Sequence, residues 1–195
     1  MAFDTQDLDP VDYAIISQSL IAAAREMGAK LVRSAYSTVL REARDGSAAL
    51  LDAHGNTIAQ AELIPMQLGT IGHVFQPCSK LYPNETLVPG DFFVINDPYS
   101  GGQHLQAVFL FQPIFFEGTT VRFSASPAHP LDFSGGDPGL PITAPDVYAE
   151  VHTLPPLQFH LQLDPHRSPF DPPPPAPVRV PPPTLGDLPA RLAAH

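Results

Sequence analysis

The chain has 195 residues, 20 acidic against 10 basic side chains, a formal net charge of −10 and 44% hydrophobic residues. That length points to one domain with a tail, and the acidic balance excludes a nucleic-acid-binding surface, which needs clustered Lys and Arg against phosphate. The one cysteine, Cys78, excludes an internal disulfide and fits a reducing compartment. No run is apolar enough to span a bilayer and no signal peptide is visible, so a soluble, cytoplasmic protein is expected.

Asp9-Pro10 opens a long helix, with an acidic cap followed by proline at the first helical position. Ile16, Leu20, Ala23, Met27 and Leu31 recur at spacings of four and three, which places them on one face. Gly28, among the small residues Ala22, Ala23, Ala24 and Ala29, predicts a close contact, since glycine costs a helix interior about 1 kcal/mol relative to alanine. From Ser47 the pattern changes. Ser47 to Leu51 and Thr57 to Ala61 read as a hairpin around Asp52-Ala53-His54-Gly55-Asn56, with His54 solvated at its tip. Gln67 to Leu81 predicts a second helix, kinked or shortened at Pro77. Phe92 to Ile95, Val108 to Phe111 and Thr120 to Ala125 read as buried strands, with Glu117-Gly118 turning between the last two.

Prolines crowd Pro155 to Pro189, including the run Pro172-Pro173-Pro174-Pro175, and predict an extended linker or tail without internal hydrogen bonds. Leu185 to His195 reads as a short helix with little to pack against. The expected fold is α+β: a long N-terminal helix and a shorter one packed on a mixed or antiparallel sheet, followed by a proline-rich C-terminal tail. The domain is placed at 9–163 and a largely irregular tail at 164–195.

Two segments carry the chemistry. Asn96-Asp97-Pro98-Tyr99-Ser100-Gly101-Gly102-Gln103-His104 and Ala128-His129-Pro130-Leu131-Asp132-Phe133-Ser134-Gly135-Gly136 each bend at a glycine pair and each deliver a histidine. Neutral imidazole is the commonest protein ligand for a transition metal, so His104 and His129 are candidate ligands. The alternative is a pair of hydrogen-bonded loop histidines. Asn96 and Asp97, with Gly101 and Gly102, either face a site or build the loop, Asp97-Pro98 starting a turn and Asn96 satisfying buried backbone. Arg41, Glu42, Arg44 and Asp45 read as an ionic network, a subunit contact or a solvated charge run. No Gly-x-x-x-x-Gly-Lys-Ser/Thr loop supports nucleotide binding, and no Gly-x-Ser-x-Gly elbow occurs. Cys78, in a helix with no paired base in view, is a poor nucleophile.

Several motifs in order resemble hydantoinase B, the B-type component of N-methylhydantoinases, 5-oxoprolinases and acetone and acetophenone carboxylases. They are Asp9-Pro10-Val11, Arg41-Glu42-Ala43-Arg44-Asp45, Ala59-Gln60-Ala61-Glu62, Ile64-Pro65-Met66-Gln67-Leu68-Gly69 and the two glycine-histidine segments. The resemblance runs from Asp9 to Leu163, resumes at Thr184-Leu185-Gly186-Asp187-Leu188, and covers the N-terminal portion of that family. It implies an A-type partner, an actin-like ATPase that binds the ATP, and a small cyclic-amide substrate such as a hydantoin or 5-oxoproline. It also implies a divalent metal held by two histidines and an aspartate. His104 and His129 fall on the histidines, but the aspartate's position is Ala107, which weakens the implied site, and Asp132 is the candidate replacement. No catalytic residue is assigned. A catalytically inactive assembly module and a carboxylase component are the alternatives on the same resemblance.

Overall fold

A computed structural model describes residues 9–132, 135–136, 143–162 and 181–195, with the backbone alone for 181–185. Helix α1 (Pro10–Ser34) starts where Asp9 accepts a hydrogen bond from the Val11 amide, and the short α2 (Thr38–Arg41) follows it. Strands β1 (Ala48–Asp52) and β2 (Thr57–Ala61) form the expected hairpin. Then come α3 (Pro65–Leu68), α4 (Ile71–Leu81), β3 (Asp91–Ile95), β4 (Val108–Phe116) and β5 (Thr119–Ala128). After α5 (Val147–Glu150) and β6 (Leu157–His160), α6 (Pro181–Ala194) ends the chain.

The six strands form one antiparallel sheet in the order β2-β1-β5-β4-β3-β6. Alternation along the strands sorts their side chains onto two faces. Ala49, Leu51, Phe93, Ile95, Phe109, Phe111 and Phe123 meet Ile71, Val74, Phe75 and Cys78 of α4. The intervening residues face the other way: Ala48 and Leu50 meet Ala24 and Met27 of α1, while Val94, Val108 and Leu110 meet Val151, Leu154 and Leu188. The predicted close contact is present at Gly28, where an added Cβ would stand 2.9 Å from the Ala61 Cβ.

Three details differ from the expectation. The predicted second helix divides at Gly69-Thr70 into α3 and α4, and α4 continues through Pro77. Leu157–His160, read as the start of the proline-rich stretch, is an edge strand paired with β3, a place where flanking prolines need no ladder partner. The terminal helix has much to pack against: Leu188 joins the sheet's apolar cluster and Ala194 packs with Leu31, Ala35 and Leu40. Of the tail expected at 164–195, residues 164–180 lie outside the described residues and the remainder is mostly α6. Among the described residues no helix is long and apolar enough to cross a membrane.

Candidate functional site

The candidate site forms where β4 begins and β5 ends, since Val108 pairs with Ala128. His104 precedes β4 and His129 follows β5. Backbone pairing brings a third segment alongside: the Ser47 amide donates to the Pro127 carbonyl at 2.9 Å, and the His129 amide to that of Asp45 at 3.1 Å.

The loop carrying His104 is fixed by its own polar residues. Asn96 is fully buried, its amide nitrogen donating to the carbonyls of Leu105 (2.7 Å) and His152 (2.9 Å) while its oxygen accepts from the Leu154 amide (2.6 Å). Asp97 accepts from the Tyr99 amide (3.0 Å) and the Ser100 hydroxyl (2.7 Å), holding a 3-10 turn over Pro98–Ser100. Gly101 leaves that turn at φ 105, with an added Cβ only 3.1 Å from the His73 carbonyl. That carbonyl faces position 77, where proline has no N–H to donate, so a side chain at 101 would meet both strain and backbone. These contacts give Asn96, Asp97 and Gly101 a structural role in presenting His104.

The two imidazoles converge. Their Nε2 atoms lie 2.7 Å apart, with rings at 84° and centroids 4.7 Å apart. The His129 Nδ1 is 2.6 Å from the Asp45 Oδ2, and the other Asp45 oxygen accepts from the Gln67 side chain at 3.2 Å. The contact between Nδ1 and the carboxylate sets the direction of the His129 ring and aims its Nε2 at His104. Burial, reinforced by His129, lowers the His104 pKa, against the opposing charges of Asp45 and Glu150. His104 is therefore neutral at pH 7. Glu150 is held by a 2.7 Å hydrogen bond from the Gln106 side chain.

Two nitrogens sharing one ion at about 2.0–2.1 Å stand roughly 2.9–3.3 Å apart, so the pair fits as two donors after a small separation. Asp132 is 3% exposed, and Ala107 is fully buried in the apolar cluster under the sheet. Among the described residues no three His, Cys, Asp or Glu side chains gather as a metal-binding group. Cys78 is inert: burial pushes its thiol up to about 12.

The family model for hydantoinase B/oxoprolinase matches residues 9–195. The chain belongs to the hydantoinase B/oxoprolinase family. It is 33% identical over 152 residues to the B component of a D-/L-hydantoinase from a Pseudomonas species, covering 75% of this chain and 26% of that one. To the 5-oxoprolinase of Saccharomyces cerevisiae it is 34% identical over 146 residues, covering 74% and 11%. The crystal structure of the ATP-dependent caprolactamase from Pseudomonas jessenii superposes with a TM-score of 0.81 at 26% identity, covering 96% of this chain and 32% of that one. The chain thus spans about a third or less of the length of these family members.

Two contributors to the histidine cluster escaped the sequence reading. Asp45 stood within an ambiguous charge run, and its role depends on an 84-residue separation from His129. The other is α6. The Arg191 guanidinium, 2% exposed, donates to the Val108 carbonyl at 2.7 Å and to the Ser126 carbonyl at 2.5 Å, joining the strands that carry the two histidines. Asp187 accepts from the amides of Tyr36 (2.7 Å) and Ser37 (3.0 Å), anchoring α2 ahead of Asp45. The i, i+4 spacing of Asp187 and Arg191 was the available signal, masked by the surrounding prolines.

Proposed function

We propose that this chain acts in ATP-dependent hydrolysis of a cyclic amide of the hydantoin or 5-oxoproline type, together with an A-type, actin-like ATPase subunit that binds the ATP. In this reading His104 and His129 hold a divalent metal through Nε2, and Asp132 of the His129 segment, which does not gather with them among the described residues, would join as the acidic donor only on metal binding. The carrying observation is the convergence of two Nε2 atoms with Asp45 behind one of them, the arrangement that orients a metal-binding imidazole. Family membership and the names of the multi-component relatives support the partner and the substrate class.

A bound ion of this kind polarises a carbonyl oxygen or activates water. The chain's own residues prepare for it in three ways. Asp45 fixes the direction of the His129 ring. Burial disfavours the charged form of His104, the form that cannot bind a metal. The Asn96 and Asp97 contacts hold the loop that positions His104 before any ligand arrives.

The buried methyl group of Ala107, standing where the resemblance implies an acidic ligand, favours a second reading: an assembly module without turnover. One experiment separates the two. The chain is mixed with an A-type ATPase subunit and a hydantoin or 5-oxoproline, and ATP consumption and ring opening are followed. Amide-dependent turnover appearing only in the mixture supports the hydrolase. Binding without turnover supports the module, and ATP turnover by the isolated chain contradicts both.

A further inference from the structure

A separate cavity of about 400 Å³ opens between α1 and the chain leaving β2, away from the histidine pair. Three of the chain's 10 basic residues line it: Arg25 and Arg33 from α1, and Arg44 from the link after α2. Arg25, Ala29 and Arg33 are spaced i, i+4, i+8, so they share a face, with the small Ala29 leaving room between the two guanidinium groups. Leu63 contributes apolar surface and Glu62 is the acidic residue of the lining.

Among the described residues none of these three arginine side chains forms an ion pair or a hydrogen bond, and neither does Glu62. A chain with 20 acidic residues could readily supply partners. Instead three like charges surround one cavity, an arrangement that repels itself until an anion enters. Guanidinium groups are suited to that task because their planar donor forks match carboxylate and phosphate oxygens. Among the described residues Arg44 is also one of two non-glycine residues with positive φ, at 54°, a conformation that gathers at functional positions. The turn there sends Arg44 to the cavity while the adjacent Asp45 reaches His129.

We propose that this cavity binds a small oxyanion, a carboxylate or phosphate group on a short apolar body, with Arg25, Arg33 and Arg44 as its ligands. The volume suits a small molecule, and the exposed guanidinium heads permit exchange with solvent. The site stands whether or not the histidine pair holds a metal.

Calorimetric titrations of the full chain with isobutyrate and with inorganic phosphate at low ionic strength test the proposal. Saturable one-to-one binding of at least one anion is expected, isobutyrate marking a carboxylate ligand and phosphate a phosphorylated one. Arg44→Gln and Arg33→Gln should each weaken it about tenfold, the loss of one charge-assisted contact, with the melting temperature unchanged because both side chains are exposed. Absence of saturation by either anion, or an affinity unchanged in both variants, would overturn it. So would tight binding of a glutamate-rich peptide without binding of either small anion.

Discussion

The first and last helices differ in what they bury. α1 spans 25 residues, yet its first half leaves Val11, Tyr13, Ile15 and Ile16 between 48% and 65% exposed. α6 is rich in proline, and it buries Asp187 and Arg191 to 3% and 2% exposure. The difference lies in what each helix has to satisfy. The second half of α1 packs Ala24 and Met27 against apolar strands. α6 lies over a sheet face whose Ser124 and Ser126 are polar, and over backbone carbonyls that need donors. Charge is tolerated inside only with such partners.

The largest effect expected from breaking this contrast is at Arg191. Arg191→Met fills similar space without donating to Val108 and Ser126, and it leaves Asp187 without its nearby cation. Leaving two buried carbonyls without their charged donor costs about 1–3 kcal/mol for each, so a urea melt should show a much reduced midpoint. Asp187→Ala removes the acceptor for the Tyr36 and Ser37 amides and should cost about 1–2 kcal/mol, as loss of a helix cap does.

His195 gives a pH test. Its ring nitrogens lie 2.6 Å and 2.7 Å from the hydroxyls of Ser124 and Ser126. Ring burial and the Arg191 charge lower its pKa from 6.5 to about 3, although the residue as a whole keeps some exposed surface. The unfolded chain therefore binds this proton more readily than the folded one. Its contribution is complete above pH 6.5 and is lost as pH falls from there toward 3, by up to about 1.4 kcal/mol per pH unit. Stability curves for the chain and for His195→Gln should converge over that interval; parallel curves would show that the ring titrates normally. The smallest effect belongs to α1: Tyr13→Ser and Ile16→Ser should each change stability by within about 0.5 kcal/mol, since neither side chain is buried.

Sequence periodicity revealed the β1–β2 hairpin, the strands β3, β4 and β5 and the close contact at Gly28. Of the face predicted for α1, Met27 and Leu31 are buried while Ile16 and Ala23 are exposed, because the sheet covers only the second half of the helix. The sequence also singled out His104 and His129, because glycine-bent loops beside apolar runs are uncommon enough to notice. It did not reveal Asp45 as the partner of His129, nor α6 as the clamp across β4 and β5. Both depend on contacts between residues far apart in the chain, and neither residue type favours its location. β6 was missed because four residues beside Pro155 and Pro156 carry too little pattern to outweigh the prolines.

The central claim, that the convergent Nε2 atoms form a metal site, is tested most directly by titrating the purified chain with Co²⁺ and following its visible d–d absorption. One saturable equivalent is predicted, lost in His104→Ala and in His129→Ala and weakened about 10–100-fold in Asp45→Asn, the range for loss of an outer-shell partner. Stoichiometric Co²⁺ binding retained in both histidine variants would contradict the claim.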